Sequence, residues 1–194
     1  TEGAGIDLEV AEQYFGTVLT DEAVTDADDK VTSYTAPDLS DVDLVLVGMD
    51  SPDNGGTFSN IGHDLENDTW YPLSLQYRPY TADGPNVRQT SISGDLLPDG
   101  TRQNRSYFGS TSKIANESDL DAFERAVAAV EAPGKDIPVV TVLKATNPVV
   151  PAEFEAASDA IVVGFGTSDQ ALLEVVLGLH EPQGRLPVQC PKDM

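Results

Sequence analysis

Three short runs of consecutive apolar residues decide what this chain can fold into. They lie at residues 43–49 (DLVLVGM), 137–143 (IPVVTVL) and 160–165 (AIVVGF). Each is too short for a buried helix and rich in β-branched side chains, and each is apolar at successive positions. Strands of that kind are buried on both faces, which is the condition of a parallel sheet between layers of helix.

Helical patterns alternate with these runs. Residues 118–131 place Leu120, Phe123, Val127 and Val130 on one face behind Ser118 as cap, with Pro133-Gly134 as the stop. From residue 167 to 177 the chain reads as another helix, with Thr167 and Gln170 as a capping pair and Gly178 as the left-handed terminus. A third helix is expected over residues 7–19, capped by Asp7, with Leu8, Ala11, Phe15 and Val18 along one side. Residues 151–157 open on Pro151 and read as a short helix. A turn at residues 26–30 precedes a short strand at 31–35, and the tail from Gly184 is held extended by Pro187 and Pro191. The expectation is one α/β domain over residues 1–194. Its architecture is a three-layer α/β/α sandwich with a mostly parallel, flavodoxin-like sheet and a long irregular insertion at residues 50–116.

That insertion is rich in Asn, Asp, Gly, Ser, Thr and Pro, with Trp70, Tyr71, Tyr77, Tyr80, Tyr107 and Phe108 interspersed. So long an irregular stretch is uncommon in a compact domain unless it has a function. Short strands are expected inside it at residues 71–76 and 90–93. It leaves the end of the first apolar strand at Asp50, the edge at which α/β sheets gather ligands. Carboxylates in its first part, Asp50, Asp53, Asp64, Glu66 and Asp68, accompany Trp70 and Tyr71. Acceptors beside aromatic faces suit carbohydrate, which offers hydroxyls to the former and C–H faces to the latter. Turn-forming aspartates and ordinary packing aromatics give the same pattern.

The 194 residues carry 33 Asp/Glu against 11 Lys/Arg, a net charge of −22. Such a chain repels phosphate backbones and anionic bilayers, so neither nucleic acid nor membrane is an expected partner. No apolar run reaches the roughly 18 residues of a membrane span. The charge is uneven: residues 1–70 hold 17 acids and only Lys30, whereas residues 71–116 hold five bases against three acids. The basic middle is expected to pair with an acidic face, either of this domain or of a neighbouring one. Cys190 is the only cysteine, which rules out an internal disulfide and leaves the compartment open between cytoplasm and secretion.

Other chemistries fail on spacing. Gly164-Phe-Gly166 lacks the third glycine of a dinucleotide fingerprint. A calcium loop counted from Asp50 places Ile61 where a bidentate Glu is needed. His63 and His180 have no ligand-spaced partners, and there is no Gly-x-Ser-x-Gly elbow. No cofactor and no metal are expected. Asn67, Asn104 and Asn116 each open a glycosylation triplet, relevant only in a secreting eukaryote.

The closing third carries a resemblance. Asp159-Ala-Ile-Val-Val, then residues 170–178 (QALLEVVLG), then Glu181-Pro-Gln-Gly-Arg-Leu-Pro187, resemble in order and spacing the end of the C-terminal α/β domain of family 3 glycoside hydrolases. Upstream, Asp43-Leu-Val-Leu-Val-Gly48 is similar to the strand before that family's active-site loop. Arg105-Ser-Tyr107, Asn116 and Asp119-Leu-Asp121 look like one bacterial branch of it. The resemblance covers residues 40–194.

It implies a retaining β-glycosidase, of β-glucosidase or β-xylosidase type, that acts on β-linked glycosides. Retention needs two carboxyl groups about 5 Å apart. In that family the nucleophile lies on an N-terminal (β/α)₈ barrel, which takes about 250 residues and does not fit in this chain. The implied partner is therefore such a barrel from the same parent protein, and the chain alone is expected to be inactive. In many members the acid/base Glu comes from the loop after the strand at 43–49. Here residues 50–60 contain no Glu, so Asp53, Asp50 and, further on, Glu66 are the candidates, unless the group lies on the barrel as in other members and this domain only shapes the site, with Trp70, Tyr71 and Arg78 as walls of the sugar pocket. The alternative is a stand-alone flavodoxin-like module that binds a small molecule or a protein.

Overall fold

The computed structural model describes residues 5–56, 61–131 and 136–194. The chain enters through α1 (Leu8–Ala11), whose cap Asp7 accepts the amides of Glu9 and Val10. The helix expected to run to residue 19 stops after this single turn. Of its four apolar positions only Ala11 is buried, and a short helix without a core to lie on does not propagate. An antiparallel hairpin follows, β1 (Glu22–Thr25) with β2 (Val31–Thr35). Its turn is closed by the Asp26 carboxylate, which accepts the amides of Asp28 and Lys30. The strand at 31–35 thus forms, and it takes a partner that the acidic sequence before it did not announce.

Next comes β3 (Val45–Asp50), and the insertion opens from its end. Regular pairing there is confined, among the described residues, to β4 (His63–Asp64) with β5 (Thr69–Trp70) and two isolated bridges, Thr81↔Thr111 and Leu96↔Arg102. The strands expected at 71–76 and 90–93 do not form. Ser74 and Ser91 hydroxyls accept the amides of Gln76 and Ser93, taking locally the groups a ladder would use.

Regular alternation then resumes with α2 (Glu117–Glu131), β6 (Val139–Lys144), two 3₁₀ turns (Pro151–Glu153 and Glu155–Ala157), β7 (Ala160–Gly164) and α3 (Asp169–Val176). The expected stop at Pro133-Gly134 lies outside the described residues. α3 is capped by Ser168, one residue later than the Thr167 expectation, through a bond from the Ala171 amide. Gly178 ends it at φ 69°, as its freedom from a Cβ allows.

The central sheet has the order β3-β6-β7 and is parallel throughout. Val47, Thr141 and Ile161 are in register, as are Met49, Leu143 and Val163. This face packs against Leu120 and Phe123 of α2, together with Tyr77 and Phe154. The opposite face carries α3: a Cβ placed on Gly164 would lie 2.8 Å from Leu172 Cδ2. Helices on both faces make the three-layer α/β arrangement that the apolar runs imply, and the described strands do not close into a barrel.

Candidate functional site at the carboxyl edge of the sheet

The three parallel strands end in register at Asp50, Lys144 and Gly164. The loop leaving Asp50 is fastened from three directions. On the β6 side, the buried Ser51 hydroxyl accepts the amides of Thr146 and Asn147 and shares a 3.0 Å bond with Thr146 Oγ1. Asn147 Nδ2 donates to the Pro52 carbonyl. On the insertion side, Asn54 and Ser74 are joined twice, Nδ2 to the Ser74 carbonyl at 3.0 Å and the Ser74 amide to Oδ1 at 2.6 Å. On the α2 side, Asp119 Oδ2 accepts the Asp50 amide at 3.0 Å, and Asn116 Oδ1 accepts the Asp53 amide at 2.7 Å.

The carboxylates of this loop have different employment. Asp53 Oδ1 accepts the Gly55 amide at 2.9 Å, so that side chain builds the turn, in which Gly55 stands at φ 68°. Asp50 is exposed, and its carboxylate accepts no hydrogen bond and joins no ion pair among the described residues. Glu66 lies elsewhere, exposed in the β4–β5 turn, where its amide donates to Asp64 Oδ1.

The candidate wall residues are held by protein contacts. Trp70 stacks on His63 with ring centroids 4.2 Å apart and 8° between planes, and the Arg105 guanidinium lies 5.5 Å from the same ring. Lys113 Nζ stands 5.0 Å from the Tyr71 ring and 2.7 Å from Asp64 Oδ2. Lys113 and the Asn67 bonds hold the Asp64 carboxyl well below the usual carboxylate range. Arg78 is gripped by three carboxylates of α2, Glu117 at 2.8 Å, Asp121 at 2.7 Å and Glu124 at 2.8 Å, which raise its pKa further above the ordinary guanidinium value. The basic middle segment thus finds acidic partners inside this chain, most visibly on α2.

Asn54, Asn116, Asp119, Ser51 and Thr146 shape the loop, yet the sequence marks them weakly. Apart from the Asn116–Asp119 bond across three residues, the partners that fasten the loop lie 20 to 96 residues away, beyond the reach of any spacing rule. The one local signal is Asn116, a good capping residue immediately before a helix.

Neither of two surface grooves is lined by Asp50 or Asp53. A groove of about 660 Å³ runs between Leu75, Pro148 and the tail residues Leu186 to Pro191. Another, of about 350 Å³, lies by the end of α2, with Glu131, Asp136 and Asp159 among apolar neighbours. Among the described residues no three His, Cys, Asp or Glu side chains gather to hold a metal ion, and no helix is long and apolar enough to cross a membrane. No protein-family model, curated protein or solved structure matches the chain.

Proposed function

We propose that this chain is the C-terminal domain of a retaining β-glycosidase, completing the sugar site of a (β/α)₈ barrel and inactive without it. The observation that supports the reading most is the state of Asp50. It stands at the end of a parallel strand, where α/β sheets bind ligands, at the head of a loop fastened from three directions, with its carboxylate uncommitted among the described residues. A solvent-facing carboxylate carried by a fastened main chain on an open edge is half of what glycoside hydrolysis with retention requires. The other half comes from a surface facing that edge.

In this reading Asp50 is the group presented to the glycosidic oxygen, and Asp53 shapes the turn that carries it. Trp70 and Tyr71 belong to the wall of the sugar pocket, steadied by His63, Arg105 and Lys113. Arg78 acts on α2 and not on the sugar. The sequence resemblance at residues 159–187 supports the family, and the absence of any Glu from residues 50–56 makes an aspartate the candidate.

The test is turnover of 4-nitrophenyl β-D-glucoside and β-D-xyloside. The chain alone is expected to give none, and the chain combined with the barrel domain of its parent polypeptide is expected to hydrolyse at least one with retention. Hydrolysis by the chain alone would sink the proposal.

A further inference from the structure

Asn116 stands just before α2, where an asparagine ordinarily turns its side chain back to accept an amide of the first helical turn. Here its oxygen accepts none of those amides among the described residues. Its Oδ1 accepts the Asp53 amide, sixty-three residues distant, at 2.7 Å. Its Nδ2 divides its protons among the Asp50 carbonyl at 3.2 Å, the Ser51 carbonyl at 3.3 Å and Asp119 Oδ2 at 3.0 Å. Asp119, only 6% exposed, accepts the Asp50 amide with that same oxygen. A local helix signal given up for long-range bonds is a feature expected at functional sites, where local rules yield to geometry.

Together the two side chains grip the amide and carbonyl of Asp50, the carbonyl of Ser51 and the amide of Asp53. The same stretch contains the Asp50 carboxylate, uncommitted among the described residues. From this we infer that Asn116 is the positioning residue of the site: it fixes the main chain from Asp50 to Asp53 in one geometry within this chain alone, so the Asp50 carboxylate is presented preformed and is not organised by a docking partner. Preorganised groups contribute more to reaction than groups that must be ordered on arrival, because no reorganisation remains at the moment of reaction. The exchange part of the inference stands by itself; only its kinetic consequence rests on the glycosidase reading.

Amide hydrogen exchange on the isolated chain tests it directly. In the Asn116→Ala variant the Asp53 amide is expected to exchange about tenfold faster or more relative to the Val142 amide of β6, a reference that moves only with global stability. Asn116→Asp keeps an acceptor for Asp53 but sets a second carboxylate against Asp119, and is expected to loosen the loop as well. Ser118→Ala, in the first turn of α2, is expected to leave Asp53 protected. Equal Asp53 protection in wild type and Asn116→Ala would overturn the inference.

With the barrel domain present, Asn116→Ala is expected to lower kcat while KM changes less than threefold, the pattern of lost alignment and not of lost binding (on the order of tenfold in kcat for one displaced group). A loosened Asp53 amide with unchanged kcat would refute the positioning role while leaving the clasp intact. If wild type with barrel shows no turnover at all, the glycosidase reading falls and the exchange result still decides the clasp.

Discussion

Tyr77, fully buried, donates its phenolic hydrogen to the main-chain carbonyl of Asp50 at 2.5 Å. The bond joins the middle of the insertion to the last residue of β3. The Tyr77 ring meets Phe154 edge-on, with centroids 6.3 Å apart, and Phe154 in turn meets Phe123 of α2 at 6.1 Å. Glu153 accepts the amides of Tyr77 and Arg78 at 2.6 and 2.9 Å. Insertion, sheet, helix and crossover therefore share one core, and the loop bearing Asp50 is built onto that core from below. Burial, reinforced by the charges of Asp119, Asp50 and Glu153, pushes the Tyr77 hydroxyl above the ordinary phenol range, so it remains a donor across the working pH range.

Removing that hydroxyl isolates its contribution. Tyr77→Phe keeps the ring and leaves the Asp50 carbonyl with only the longer Asn116 bond. The expected loss is about 1–2 kcal/mol, within the range for a buried hydrogen bond. Tyr77→Ala also empties the space between β3 and Phe154 and is expected to cost about 3–5 kcal/mol. Urea titrations with unchanged m-values measure both. Equal midpoints for wild type and Tyr77→Phe would show that the bond adds nothing.

The apolar runs announced the sheet because burial on both faces leaves a local trace, successive Val, Leu and Ile. All three became the strands β3, β6 and β7, and α2 formed where Leu120, Phe123, Val127 and Val130 share a face. The same logic misled at residues 7–19, where the stripe is present but Phe15 and Val18 are only half-buried and Leu8 and Leu19 are exposed. The insertion was legible only as irregular. Tyr77 reads in sequence as one aromatic among six tyrosines, and its burial follows from contacts with Phe154 and Asp50 that no periodicity encodes. Asp50, Asp53 and Glu66 were readable as carboxylates of one loop region. Their different settings depend on the Gly55 amide, which takes the Asp53 carboxylate, and on the β4–β5 turn, which carries Glu66, both matters of backbone course.

The Lys113–Asp64 pair gives the insertion a pH dependence of known sign. Asp64 ordinarily titrates near 3.8, and in the fold Lys113 and Asn67 hold it well below that. Around the ordinary value the unfolded chain binds the proton more readily than the folded one, so stability rises with pH there. The contribution is complete above about pH 5 and is lost as pH falls through 3.8 toward the lowered folded value. Lys113→Met is expected to flatten this acid limb. Thermal midpoints between about pH 6 and 2 measure it, and parallel curves for wild type and variant would refute the assignment.

Arg78 balances three carboxylates on one face of α2, Glu117, Asp121 and Glu124. Arg78→Met leaves them facing one another at helical spacing, where like charges repel. The expected outcome is a lower urea midpoint at low salt. The gap to wild type should narrow in about 1 M sodium chloride, where the Debye length is about 3 Å. A gap independent of salt would mean that the Arg78 stem, and not its charge, carries the effect.

Under the proposed function, in which a barrel completes the site, Asp50 and Asp53 make opposite predictions. Asp50→Asn keeps the shape of an uncommitted side chain and removes only its ability to give and take a proton. It is expected to reduce kcat toward a glucoside with a poor leaving group by about 10²–10⁴-fold, the usual contribution of a positioned acid or base. KM should change little, because the lost interaction is made in the transition state. Asp53→Asn retains an oxygen for the Gly55 amide and is expected to stay near wild type, whereas Asp53→Ala opens the turn and should lower kcat through the loop's geometry. Glu66→Gln, in the β4–β5 turn, is expected to leave both constants unchanged. Steady-state kinetics on the four variants decide the matter. A large kcat loss in Asp53→Asn, with Asp50→Asn unaffected, would move the proton-transfer role to the turn and make Asp50 its scaffold.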